Sequence, residues 1–148
     1  MGVSAKNFFT EEEKEKIINA IREAEKNTSG EIKVHVENKC RGNVLERALH
    51  WFDKLKMRET KLRNGVLIYL AVKSKKFAII GDEGINKVVP DDFWEDIKEK
   101  MTDRFKKGEF TLGLTEGILE TGKALKKYFP YQKDDVNELS DEISFGKS

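Results

Sequence analysis

The chain has 148 residues, enough for one domain with a real core. Charged residues make up 37% yet cancel to a net charge of +1, which argues against non-specific nucleic-acid binding, since that needs a basic surplus on one face. A single cysteine, Cys40, excludes an internal disulfide and a cysteine-built zinc centre; no run reads as a secretory signal or a membrane span, so a soluble, cytoplasmic protein without membrane insertion is expected.

Thr10-Glu11-Glu12-Glu13 is a capping-box pattern, with a hydroxyl at the N-cap and a carboxylate three residues on. Ile17, Ile18, Ile21 and Ala24 follow at helical spacing and predict a helix over about residues 11–26, which Asn27-Thr28-Ser29-Gly30 ends. Glu31 to Glu37 alternates strictly. Ile32, Val34 and Val36 face a core, while Glu31, Lys33, His35 and Glu37 face outward, so the expected strand is half-exposed, near an edge or under thin cover. Asn43-x-x-Glu46 opens a second helix, with Val44, Leu45, Ala48, Leu49, Phe52 and Leu55 inward.

Asn64-Gly65 then leads into Val66-Leu67-Ile68-Tyr69-Leu70-Ala71-Val72, too uniformly apolar for a half-exposed strand. It reads as a central strand covered on both faces. Strand, helix and strand in sequence make a βαβ unit with parallel strands and a right-handed crossover. Lys73-Ser74-Lys75 is a tight connection to Phe77-Ala78-Ile79-Ile80, which makes an antiparallel hairpin ending in Gly81-Asp82-Glu83-Gly84. Ile85, Val88 and Val89 suggest a short helical turn. Pro90-Asp91-Asp92 begins a third helix carrying Phe93, Trp94, Ile97, Met101 and Phe105, closed by Lys106-Lys107-Gly108. A last helix near 111–127 carries Leu114, Ile118 and Leu125, and its Gly113 and Gly117 would let a neighbour approach closely. The expected division is one α/β domain over 1–128 and a tail over 129–148. That tail holds the acidic run 134–142 and is either solvated or docked through Phe129-Pro130-Tyr131.

Parallel pairing places the start of the first strand beside the start of the central one. Glu31, Asn64 and Asp82 would then converge at one rim, with Glu83 next to Asp82. Carboxylates, an amide oxygen and loop carbonyls are the ligand set of a hard divalent cation; calcium takes six to eight such oxygens and magnesium keeps more of its water. The alternative is that Asn64 and Asp82 are ordinary turn residues and Glu31 a solvated strand residue. The acidic tail lacks the glycine and the D-x-D-x-D pattern of an EF-hand loop. His35 and His50 share no spacing with a second ligand or base and read as surface residues. Trp51 and Trp94 read as core. Cys40 and Arg47 miss the C-x5-R spacing of cysteine phosphatases by one residue. No phosphate-binding glycine loop and no G-x-S-x-G is present, so any phosphate-ester hydrolysis would lean on a metal and its water.

Thr28-Ser29-Gly30-Glu31, the run Asn64-Gly65-Val66-Leu67-Ile68-Tyr69-Leu70-Ala71, the segment Phe77 to Ile85 and Phe105-Lys106-Lys107-Gly108-Glu109-Phe110-Thr111-Leu112-Gly113-Leu114 occur in an order that resembles the TPM domain, the family of thylakoid acid-phosphatase-like proteins. The likeness spans about residues 8–128. It implies an α/β sandwich, a Rossmann-like mixed sheet with helices on both faces. It also implies a divalent-metal site, calcium in some members, near the Asn-Gly and the loop after the hairpin. By position the metal residues are Asn64, Asp82 and Glu83, with Glu31 where many members have glutamine. Acid-phosphatase activity is attributed to plant members. In that case Lys61 or Arg63 would contact the phosphate and offset the acidic Gly81-Asp82-Glu83-Gly84 loop; the alternative is that both belong to a solvated loop. Three functions follow: a calcium-like ion ordering loops 58–64 and 81–91 to present a surface to a protein partner, a metal-assisted phosphatase, or a metal-free interaction domain using its tail.

Overall fold

A computed structural model describes residues 5–131 and 139–146. The Thr10 capping box forms as the sequence implies: its hydroxyl accepts from the Glu13 amide at 3.1 Å, and its own amide donates to the Glu13 carboxylate at 2.9 Å. After the one-turn helix α1 (Ala5–Phe8), this starts α2 (Glu11–Glu25). There follow β1 (Glu31–Glu37), α3 (Val44–Lys54), β2 (Gly65–Ala71), β3 (Lys76–Gly81), the short α4 (Glu83–Asn86), α5 (Glu95–Lys106), α6 (Phe110–Leu125) and β4 (Ser144–Phe145). The third helix therefore begins at Glu95 rather than at Pro90, after turns that carry Phe93 and Trp94.

The sheet order is β3-β2-β1-β4. β1 and β2 are parallel, with Glu31 opposite Gly65, and β2 and β3 are antiparallel, with Val66 opposite Gly81. One face of the sheet presents Ile32, Val34, Val36, Val66, Ile68 and Leu70 to the main core, built with α2, α5 and α6. The other presents Leu67, Tyr69 and Ala71 to α3 and the Met57 loop. Helices thus cover both faces of a mixed sheet. Gly113 and Gly117 allow α5 and α6 to touch: a Cβ at Gly117 would lie 2.4 Å from Met101 Sδ, and one at Gly113 2.5 Å from the Phe105 ring. Among the described residues no helix is long and apolar enough to cross a membrane.

Two expectations need correction. β1 is not half-exposed. Its alternation is as read, but Glu31, His35 and Glu37 are buried, because Trp51 and Arg47 of α3 lie on His35 and Glu37, Leu139 meets Glu31, and β4 takes the outer edge of the strand. His35 is accordingly no surface residue. On α3, Leu45 and Leu49 point outward, at 50% and 41% exposure, while Ala48 and Phe52 carry the inward stripe. An eleven-residue helix packed on one sheet face buries a narrower stripe than one wrapped in a bundle.

Of the acidic run, residues 134–138 lie outside the described residues. Residues 139–146 run along β1, with Ser144 opposite His35 and Phe145 opposite Val36. Arg22 meets Asp141 at 3.7 Å. Glu25, beside Asp141, accepts the Ile32 amide at 3.0 Å. Burial, then the hydrogen bond with Asp141, pushes the Glu25 carboxyl up to about 9, and the nearby charge of Glu31 adds to this. The unfolded chain loses this proton near 4.5, so the folded state holds more protons between the two values, and stability falls as pH rises through that window. Glu25→Gln should abolish this slope. We expect it to be more stable than the parent at pH 8, on the order of 1 kcal/mol, with the difference shrinking toward pH 5. Thermal unfolding at the two pH values measures it; an equal difference at both would defeat it.

Candidate functional site

Three segments meet at the rim where β1 and β2 start and β3 ends. The Glu31 amide donates to the Asn64 carbonyl at 3.3 Å, and the Asp82 amide to the Gly65 carbonyl at 2.9 Å. Asn64, Asp82 and Glu31 are all buried there. The loop before β2 is tied by Thr60, whose hydroxyl accepts the Asn64 amide at 3.1 Å. The Asn64 side chain lies 3.5 Å from both Thr60 Oγ1 and Ser29 Oγ.

Asp82 caps α4, with the Glu83 amide donating to its Oδ1 at 2.7 Å. The rest of its carboxylate faces arginine. Arg63 donates to it twice, Nε to Oδ2 at 2.9 Å and Nη2 to Oδ1 at 3.1 Å, and its Nη1 lies 3.1 Å from Glu83 Oε1. Arg58 Nη1 stands 3.6 Å from Asp82 Oδ1. The fork is possible because Arg63 takes a left-handed conformation, φ 52°, which turns its carbonyl onto the Gly84 amide at 2.9 Å. Glycine is required opposite: a Cβ at Gly84 would sit 2.3 Å from the Leu62 carbonyl oxygen.

The structure thus brings Asn64, Asp82, Glu83 and Arg63 together. Glu31 lies abreast of them on the far side of Gly65, where its Oε1 accepts the Leu139 amide at 2.6 Å. Lys61 is exposed in the same loop. Among the described residues no group of three or more histidine, cysteine or acidic side chains stands close enough together to hold an ion. The guanidinium of Arg63 supplies the positive charge that Asp82 faces.

A second polar cluster, under α3, did not emerge from sequence reasoning. Glu37 is fully buried, yet accepts from Arg47 Nη2 at 2.7 Å, Arg47 Nε at 3.1 Å, the Tyr69 hydroxyl at 2.7 Å and Trp51 Nε1. Burial alone would raise its carboxyl, but the bonds from Arg47 and Tyr69 outweigh this and hold it below its ordinary value. His35 stacks on Trp51, ring centres 3.8 Å apart; its Nδ1 is 2.8 Å from Ser144 Oγ and its Nε2 3.5 Å from Glu37 Oε1. Burial pushes His35 down to about 4, so the ring is neutral near pH 7. Serine, histidine and carboxylate in that order have the connectivity of a proton relay. Arg47 already neutralises Glu37, however, and burial outweighs the pull that Glu37 still exerts on the ring, so the imidazole stays neutral. The cluster ties α3 to β1 and β2. Its signal in the sequence was the polar face of β1 together with Arg47 and Trp51 one helical turn apart, which together offer a buried carboxylate its donors.

Fold and rim together define a small α/β sandwich whose loop-bearing rim gathers buried polar side chains, Glu31, Asn64 and Asp82, at the start of two parallel strands. The chain belongs to the TPM domain family, whose sequence profile matches residues 3–126. It is similar to the solution structure of the BA42 protein from the psychrophilic bacterium Bizionia argentinensis, with 53% identity, a TM-score of 0.90, and coverage of 95% of this chain and 97% of that one. It shares its fold with the N-terminal domain of a protein from P. gingivalis (17% identity, TM-score 0.67, covering 85% of this chain and 83% of that one). The same holds for the N-terminal domain of the cg2496 protein from Corynebacterium glutamicum (12% identity, TM-score 0.60, covering 79% and 76%). No curated protein matches the chain.

Proposed function

We propose that this TPM domain is a divalent-cation module, taking calcium or magnesium at the rim through Asp82, Asn64, Glu83 and Glu31. The observation that carries the reading is the buried Asp82 carboxylate, at the same rim as Asn64 and Glu31 and balanced by an arginine fork drawn from the adjoining loop. The donors are of the kind a hard cation takes. Arg63 acts as an internal counter-ion, and an incoming cation must displace it. The ion would then hold the loop before β2 and the turn after β3 in one arrangement, and so control the surface those loops present to a partner.

Calcium titration of the isolated protein, followed by backbone amide shifts, tests this. Residues 63–65 and 82–84 should move together, and Asp82→Asn should abolish the response. Arg63→Gln should strengthen calcium binding about fivefold or more, because the competing cation is gone; this corresponds to about 1 kcal/mol. Shifts absent from the rim, or weaker binding in Arg63→Gln, would overturn the reading. A metal-assisted phosphatase would need the same ion plus a phosphate contact from Lys61 or Arg63. The Arg63 guanidinium faces two carboxylates, which leaves that reading second. Turnover of a generic phosphomonoester that Asp82→Asn removes along with the metal would promote it.

A further inference from the structure

One edge of β1 pairs with β2, and the other is taken by the C-terminal segment 139–146. That segment is anchored at both ends of the strand. At the rim, the Leu139 amide donates to Glu31 Oε1 at 2.6 Å. Midway, Lys33 Nζ reaches the Ser140 carbonyl at 3.3 Å, and Ser144 Oγ lies 2.8 Å from His35 Nδ1. At the far end the Gly146 amide donates to the Val36 carbonyl at 2.9 Å, and a Cβ on Gly146 would sit 2.5 Å from Glu37 Cγ.

The rim contact has a specific shape. Glu31 pairs with Gly65, and the Asp82 amide bonds to the Gly65 carbonyl, so three strands place Glu31, Gly65 and Asp82 abreast. The middle residue has no side chain, which leaves a gap between two buried acidic residues. Met57 and Leu139 fill it. A Cβ at Gly65 would meet the Met57 carbonyl oxygen at 3.0 Å and Leu139 Cδ1 at 3.7 Å. Leu139 packs there against the small cluster of Phe52, Met57 and Leu67. Among the described residues of the segment only Ser144 and Phe145 pair as strand, so the hold along β1 is short, as suits an element that opens locally.

We propose that this edge of β1 is a strand-accepting surface whose occupant is the chain's own C-terminal segment, and that docking of the segment opposes binding of a divalent cation at the rim. The inference rests on the rim reading above. Leu139 shares with Met57 the space between Glu31 and Asp82 into which an ion would bring their oxygens, and its amide holds one of the Glu31 oxygens. An ion at the rim therefore frees the segment, and releasing the segment favours the ion, by reciprocal coupling. The surface uncovered on release is the β1 edge itself, with the amides and carbonyls of an unpaired strand.

The test uses the full chain, calcium chloride as probe, and two variants that loosen the far end of the segment without touching the rim, Gly146→Val and Ser144→Ala. Amide hydrogen exchange of residues 139–146 reports docking, and amide shifts of residues 63–65 and 82–84 report calcium. Saturating calcium should speed exchange at Leu139 and Gly146 of the parent fivefold or more, and the variants should bind calcium about fivefold more tightly. The proposal is overturned if the rim amides shift with calcium while Leu139 keeps its protection. It is equally overturned if either variant frees the segment and calcium affinity does not change. Absence of rim shifts in all three proteins would overturn the rim reading and this antagonism together. That outcome is distinguishable, because exchange still reports docking without calcium.

Discussion

Arg47→Met is expected to lower stability by about 3 kcal/mol, the low end of the range for breaking a buried ion pair. Glu37 is fully buried, and two of its four hydrogen bonds come from Arg47. Methionine keeps the packing of the arginine stem but leaves the carboxylate with the neutral donors Tyr69 and Trp51. The low end applies because the Arg47 side chain is 37% exposed, so water partly screens the pair. The loss should appear as a fall in melting temperature of about 10 °C. Glu37→Gln in the Arg47→Met background should recover much of it, because the unpaired charge is then gone. A double variant no more stable than Arg47→Met alone would show that packing, not the orphaned charge, sets the cost.

Gly84→Ala is the second large effect. Its methyl would stand 2.3 Å from the Leu62 carbonyl oxygen and 2.5 Å from that of Arg63. Both are backbone atoms of the loop that carries the arginine fork, so the clash cannot be relieved by rotating a side chain. We expect a loss of about 2–3 kcal/mol, the upper part of the range for overpacking. Rejection of the loop should also separate Arg63 from Asp82, seen as faster solvent exchange of the Arg63 Nε proton. Gly81→Ala serves as the comparison. Its nearest new contact is Trp94 Cζ2 at 3.2 Å, a partly exposed ring that can shift, and it should cost less than half as much. Equal losses at the two positions would mean that the Leu62–Arg63 backbone yields more readily than its hydrogen bond to Gly84 implies.

Much of the framework was legible in advance. Strict alternation in residues 31–37, the apolar run after Asn64-Gly65 and the short connection at 73–75 lead to parallel β1–β2 pairing and an antiparallel β2–β3 hairpin. Those pairings bring Glu31, Asn64 and Asp82 to one rim, as the structure shows. What stayed hidden is what each of those polar groups touches. His35 and Glu37 alternate with the core residues and so read as exposed. Periodicity states which face a residue occupies, not whether a helix lies across that face.

The chain by itself determined the three main strands, the long helices and their order, and most inward faces, because these follow from hydrogen-bonding periods of two and 3.6 residues along a local stretch. It did not determine the outward Leu45 and Leu49 of α3, the short α1 or the paired β4. Tertiary structure alone decided the partners: Arg63 on Asp82, Arg47 on Glu37, Ser144 on His35 and Leu139 on Glu31. Each joins residues that no short period links. Two depend on a single backbone circumstance, the left-handed turn at Arg63 and the missing side chain at Gly65. Electrostatic neutralisation of a buried carboxylate acts over a few ångströms in space, so it is settled only once the folded chain has placed a donor within that reach.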